Sequence, residues 1–455
     1  MYKLTFALSL ALVACQENPG EVVFACDTYS CVPDAAGAVG DPEAGRIFIT
    51  ETGANRCGFP ADIDLSVLDP SPAPPLEGRQ GGDEDLPFFM TETTSARGES
   101  VVNINCLACH GGSIRGEMVP GLPNHAFESA PSEGMVAASR LLAQTEAQHT
   151  EIDVMERLSD ALAPYSLDTV GANPGITYGF VGALHRDPDT YAWIDPSASA
   201  LPPAPPIPLD PSPWWGMSKK NAMFWNTAVR GDYTPLIASA FVGCIENEEV
   251  AADLADNSPD VRAWLESTTP PPWPWAVDAD LAETGELLFR DQCARCHGTY
   301  DGDGEYPNVV VPAGVVGTDS ALADERSMWE DIWTDQYAQS AIGDGVDWAP
   351  QAGYIAPPLD GIWATAPYFH NGSVPTIAAV LDPSLRPVAW ARIETSGDEY
   401  DRDEMGWPYD EVDPDDAEPS DYDTTAYGFG NGGHPFGEVL NDSEKRAVME
   451  YLKTI

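Results

Sequence analysis

Two cysteines separated by two residues and followed at once by a histidine occur twice in this chain of 455 residues, at Cys106-Leu107-Ala108-Cys109-His110 and at Cys293-Ala294-Arg295-Cys296-His297. This pattern constrains the fold more than any other feature, because it is the attachment sequence for a c-type haem. One helical turn brings both thiols beneath the two vinyl groups of a porphyrin, and the adjacent imidazole then reaches the iron from one face. A thioredoxin-like dithiol would have no use for the histidine. Two copies therefore point to two covalently bound haem c groups. Cys106, Cys109, Cys293 and Cys296 are the anchors, and His110 and His297 the proximal iron ligands.

The chain begins with Lys3 and a largely apolar run from Leu4 to Ala14, the pattern of an export signal. The run closes on Leu12-Val13-Ala14-Cys15, similar to a bacterial lipobox, so residues 1–14 are expected to be removed and Cys15 acylated. Gln16 after that cysteine fits sorting to an outer membrane. The expected location is periplasmic or cell-surface, with membrane contact through the lipid anchor only. Of nine cysteines, one goes to lipid and four to haem. Cys26, Cys31, Cys57 and Cys244 are left, enough for two disulfides in an oxidising compartment; Cys26 with Cys31 is the most local pairing. Asp and Glu number 73 against 22 Lys and Arg, a formal net charge of -51. That surface repels nucleic acid and favours a small cationic electron-donor protein; it also suits salty surroundings.

A Gly/Pro-rich loop, Val119 to His125, follows the first motif. His125 is a distal ligand, a distal acid/base or a surface residue on this reading, with Glu117 and Glu128 as further proton-active candidates and Met118 as a further ligand candidate. Residues 137–163 carry apolar positions at helical spacing and end at Pro164. His149 is expected to be exposed and His185 structural. The chain holds five lysines, and two of them, Lys219 and Lys220, stand beside Trp214-Trp215. Lys219, Lys220 and Arg230 are candidate partners for haem propionates, and the tryptophans are candidate electron carriers. A stiff linker from Thr268 to Trp275 suggests a boundary, giving an N-terminal haem domain at 15–275 and a C-terminal cytochrome c domain at 276–455. In the latter, an amphipathic helix with Gly285 on its contact face leads into the second motif. A helix capped by Asn441 or Asp442 ends the chain. The acidic run Asp398 to Asp423 is a solvated loop or a calcium site. The glycines around His434 suggest a mobile loop presenting one imidazole. The expected fold is mainly α, two cytochrome c-like haem domains with extensive irregular loops.

The Trp214-Trp215 and Lys219-Lys220 block, Arg230-Gly231-Asp232, the second motif, Tyr368-Phe369-His370-Asn371-Gly372-Ser373 and the ending from His434 to Leu452 resemble the di-haem cytochrome c peroxidase superfamily, and within it the branch related to bacterial rubber oxygenase. The resemblance covers roughly residues 100 to 455. It implies an electron-transfer haem ligated by His297 and His434, with His370 beside it and not bonded to it; His370 and Met405 are the alternative ligands. It also implies a reactive haem at His110, where peroxide is reduced or dioxygen activated with help from His125 and Trp215. Gly216 stands where the rubber-cleaving branch usually has a basic residue, and the lipid anchor fits poorly with a solid polymer substrate. The competing reading is a di-haem electron-transfer lipoprotein without catalysis.

Overall fold

A computed structural model describes residues 22–63, 73–79, 83–126, 133–302, 304–328, 330–331, 343, 345–393 and 399–455. The signal and lipidation positions, Glu128 and Asp398 lie outside the described residues. Helix α1 (Pro42–Ile47) begins where Asp41 accepts hydrogen bonds from the backbone N–H groups of Glu43 and Ala44, with Pro42 in the first turn, a start favoured because proline needs no donor there. Helix α2 (Leu107–His110) is the single turn of the first motif. The helix expected at 137–163 is instead two, α3 (Glu133–Leu142) and α4 (Glu146–Leu162). Thr145 and Gln148 form a reciprocal capping box at the break, and those local bonds start a new helix there. Leu141, counted as part of the apolar stripe, is exposed, whereas Ile152, Met155 and Leu158 are buried.

Helix α5 (Glu248–Ser267) starts at an Asn247 cap and packs against α1. Helix α6 (Ala279–Gln292) runs into α7 (Ala294–His297), the turn of the second motif. Helix α8 (Asp442–Leu452) closes the chain, with Asn441 and Glu444 in a capping box. Its contact with α6 depends on Gly285: a Cβ there would sit 1.8 Å from the Ala447 carbonyl oxygen. Phe289, Val448 and Leu452 are almost fully buried at this contact, each contributing about 1.5–3 kcal/mol of transfer free energy. Among the described residues no helix is long and apolar enough to cross a membrane.

The expectation of a mainly α protein built as two haem domains is corrected by the structure. Among the described residues helix accounts for 36% and strand for 13%, with five small sheets, so the fold is mixed α/β and two haem domains are not shown. Strands of two to five residues pair wherever irregular segments cross, and such lengths are too short for an alternating pattern to register. Several pairings join distant segments: Ser30–Cys31 lies antiparallel to Val309–Pro312, and Val229–Arg230 to Asp347–Trp348. One core gathers Phe180, Trp214, Tyr233, Leu254 and Trp264 around Leu107. A second combines Ile114, Leu122 and Trp215 with Phe289, Trp363, Met405 and Val448. Disulfides join Cys26 to Cys31 and Cys57 to Cys244. The four motif cysteines are unpaired.

Candidate haem and redox site

Each motif is a short helical turn, so both thiols and the histidine lie on adjoining faces of one turn. Burial pushes Cys106 and Cys293 up to about 12 and Cys109 up to about 11. Low-reactivity thiols of this kind are poor catalytic nucleophiles and suit covalent anchoring by an attachment machinery.

At the second motif, His297 directs Nδ1 at the Pro357 carbonyl oxygen, 2.9 Å away. Such a contact orients a metal-ligating imidazole and leaves Nε2 for the metal. His434 faces it, with ring centroids 6.3 Å apart and planes at 56°. Two imidazoles bonded to one metal ion at about 2 Å each, with ring centres roughly 1 Å behind the bonding nitrogens, stand about 6 Å apart. The pair is therefore spaced for one iron between them. Nδ1 of His434 and Nδ1 of His110 are buried without a hydrogen-bond partner. Burial also holds His434 down to about 3, with His297 and Arg386 lowering it further.

The loop presenting His434, expected to be mobile, is held from several sides. Arg386 donates to the carbonyls of Ala379 and Val380 on one side and, at 2.8 Å each, to those of Asn431 and Gly433 on the other. Asn371 Nδ2 donates to the carbonyls of Gly428 and Gly430, and Ser373 Oγ to Gly430 as well. His434 N donates to the Val316 carbonyl at 2.6 Å. His434 and its neighbour Phe369 both occupy left-handed backbone, at φ 50° and 71°, a conformation that persists where the surroundings over-determine it. The Tyr368-to-Ser373 block thus acts as the bracket for this loop. His370 is buried and stacked on Tyr354 at 4.1 Å, with burial holding it down to about 3. Met405 is fully buried in the second core. Sequence reasoning missed Arg386, which sits outside every motif.

The cationic candidates separate. Lys219 is committed to Asp360, with Nζ 2.6 and 2.8 Å from the two carboxylate oxygens. Lys220 is 6% exposed and lies over the Trp225 ring, 5.7 Å from its centroid, and burial lowers it to about 8. Trp225 and Cys296 pack against the same core. Nε of Arg230 is buried without a partner. A buried cation lacking a counter-charge is costly, and a haem propionate is a carboxylate of the needed kind. The residues present fit haem c.

At the first motif, Trp214 lies against His110, centroids 5.2 Å apart, and burial brings His110 down to about 4 against a small upward pull from the Ser212 backbone. Trp215 turns to the second core and donates Nε1–H to the Asp360 carbonyl at 2.7 Å. The neighbouring indoles thus belong to different cores. Asn124 ties the loop after the motif to Cys109 and Ala108 through their carbonyls. His125 then stacks on Trp407, centroids 4.7 Å apart, and is held down to about 3 by burial and by Arg392. Glu117 is exposed, Met118 packs on the first core, His149 is exposed, and His185 is buried on Trp193. In the acidic stretch, Asp401 accepts from the backbone N–H groups of Asp403 and Glu404. Among the described residues no group of three or more His, Cys, Asp or Glu side chains is placed to hold a metal ion.

Residues 353–391 match the family described as RoxA-like, cytochrome c-like. The matched stretch contains Pro357, His370, Asn371 and Arg386, and neither attachment motif. The chain is 27% identical to the uncharacterized protein y4iJ of Sinorhizobium fredii, over 90% of this chain and 86% of that protein. It is 28% identical to the uncharacterized protein y4iM of the same organism, over 50% of this chain and 56% of that one. The family match relates the chain to the rubber oxygenase branch and supports a haem-based redox protein of cytochrome c type.

Proposed function

We propose that this protein is an exported, lipid-anchored di-haem c-type oxidoreductase, in which one haem transfers electrons and the other reduces peroxide or activates dioxygen. The observation that carries the reading is the opposition of His297 and His434 at 6.3 Å, with no equivalent imidazole in ring contact with His110 among the described residues. Each other histidine is engaged elsewhere: His125 on Trp407, His185 on Trp193, His370 on Tyr354, and His149 toward solvent. The two sites therefore differ as an electron-transfer site differs from a reactive one.

When bound, haem c supplies one-electron redox chemistry and, at an open iron face, a place for peroxide or dioxygen. The chain supplies the rest. His297 and His434 would hold one cofactor, and Lys220 and Arg230 would offer charge to its propionates. Trp214 touches His110, and Trp215 bonds to Asp360, three residues from the carbonyl that orients His297. We assign these two indoles and the backbone beside them to electron transfer between the motifs. His125, neutral at ordinary pH, is available as a proton acceptor near the first motif.

Exchange of His125 for Ala tests the reading against a plain electron carrier. The resting spectrum should stay unchanged while the rate of peroxide reduction falls by about 10²–10⁴, the usual range for a lost acid/base. A change of haem spin state without any peroxide reaction would instead make His125 an axial ligand and the protein a carrier.

A further inference from the structure

The second core contains a continuous run of oxidisable rings, Trp407, Tyr400, Trp275 and Trp273, that the proposed reaction does not use. His125 stacks on Trp407 at 4.7 Å, and Trp407 meets Tyr400 edge-on at 5.2 Å. Tyr400 lies parallel to Trp275 at 5.5 Å and 5.8 Å from Trp273, which meets Trp275 at 4.8 Å. Every separation falls within ordinary aromatic contact, so the ring edges touch. Trp407 and Tyr400 are 6% and 4% exposed, whereas Trp273 and Trp275 are half-buried. The run thus starts one residue from Asn124, which is bonded to the first motif, passes through buried Trp407 and Tyr400 and ends at half-buried Trp273 and Trp275. Tyr400 donates its hydroxyl hydrogen to the Trp363 carbonyl at 2.5 Å, a fixed acceptor for that proton. Arg402 lies over Trp275 at 5.4 Å, and Lys453, paired with Glu450 at 2.6 Å, lies over Trp273 at 5.1 Å.

Resting on the peroxidase reading above, we infer that Trp273, Trp275, Tyr400 and Trp407 relay oxidising equivalents from the His110 site to the surface, making the Trp273–Trp275 rim a second oxidation site for small phenols or aromatic amines. Each ring gives one electron to its oxidised inner neighbour and regains one from the ring outside it. At the rim a phenol loses one electron and one proton and leaves as its radical. Two such electrons and two protons, with cleavage of one peroxide O–O bond, yield two waters.

The test treats haem-loaded protein with stoichiometric hydrogen peroxide and no donor, then maps oxidised side chains by peptide mass spectrometry. Oxygenated Trp273 and Trp275 are expected. In Trp407→Phe, which leaves no hydrogen bond broken because the Trp407 Nε1 has no partner, that oxidation should be lost while peroxide is still consumed. Tyr400→Phe gives the same loss and serves if Trp407→Phe fails to fold. Equal oxidation of the rim in folded variants and parent, with peroxide consumed, overturns the relay and leaves the peroxidase reading standing. Peroxide left unconsumed, with no oxidised residue, overturns both.

Discussion

Arg386 touches neither motif, yet it fixes where His434 stands, because its guanidinium ties helix-end carbonyls at Ala379 and Val380 to the loop carbonyls of Asn431 and Gly433. Hydrogen bonds to a charged donor contribute about 1.5–3 kcal/mol each. Arg386→Ala should therefore lower stability by about 3 kcal/mol and, in the haem-loaded protein, weaken the six-coordinate low-spin signal assigned to the His297–His434 haem. Arg386→Lys keeps the charge but not the planar fork, so it should restore only part of that signal; full restoration would show that charge alone suffices. The two CxxCH motifs stand out in the sequence because the spacing expected for haem attachment is itself the signal. Arg386 was invisible there, since its partners are backbone carbonyls, which any residue supplies. Lys219 and Lys220 looked equivalent as neighbours in sequence, and only the fold gives one Asp360 and leaves the other buried without an ion pair among the described residues.

At the scale of elements, the terminal helices form the part most readable in advance. Asn441, Gly285 and the apolar positions of α6 and α8 mark caps and contact face by chemistry that acts over a few residues. Gly285→Ala should push α6 from the Ala447 carbonyl and cost roughly 1–3 kcal/mol, the usual range for overpacking, measured as a lowered denaturation midpoint; an unchanged midpoint would mean the contact relaxes freely. Asp382 joins the segment before Arg386 to α8 through Lys445. Hydrogen bonding to Lys445, then to Ser384, lowers its carboxyl to about 2. Because the folded value lies below the ordinary one, this pair's contribution is complete above the ordinary carboxylate range and is lost as pH falls from about 4 toward 2. The pair is partly buried at the surface, and solvent screening keeps the effect to about 1 kcal/mol or less. Lys445→Met should remove that part of the acid dependence, seen as a shallower stability curve between those pH values. The helix break at 143–145 and the short strands escaped the sequence reading because a capping box and crossing backbone segments override periodicity.

Across the whole molecule, segments before and after the proline-rich linker share sheets and a core, so the two motifs are held within one packed framework. Helical spacing shows the helices of such a framework and not the small sheets stitched between irregular stretches, which is why the mainly α expectation failed. The proposed asymmetry likewise rests on the assembly: His297 has a second imidazole opposite, and His110 has Trp214 beside it. Low-temperature EPR of the purified, air-oxidised, haem-loaded protein tests this most directly. The account predicts a low-spin ferric signal from the His297–His434 haem beside a high-spin signal from the His110 haem. Two low-spin signals, with the remaining ferric haem still low-spin after half-reduction, would contradict it and leave an electron-transfer cytochrome.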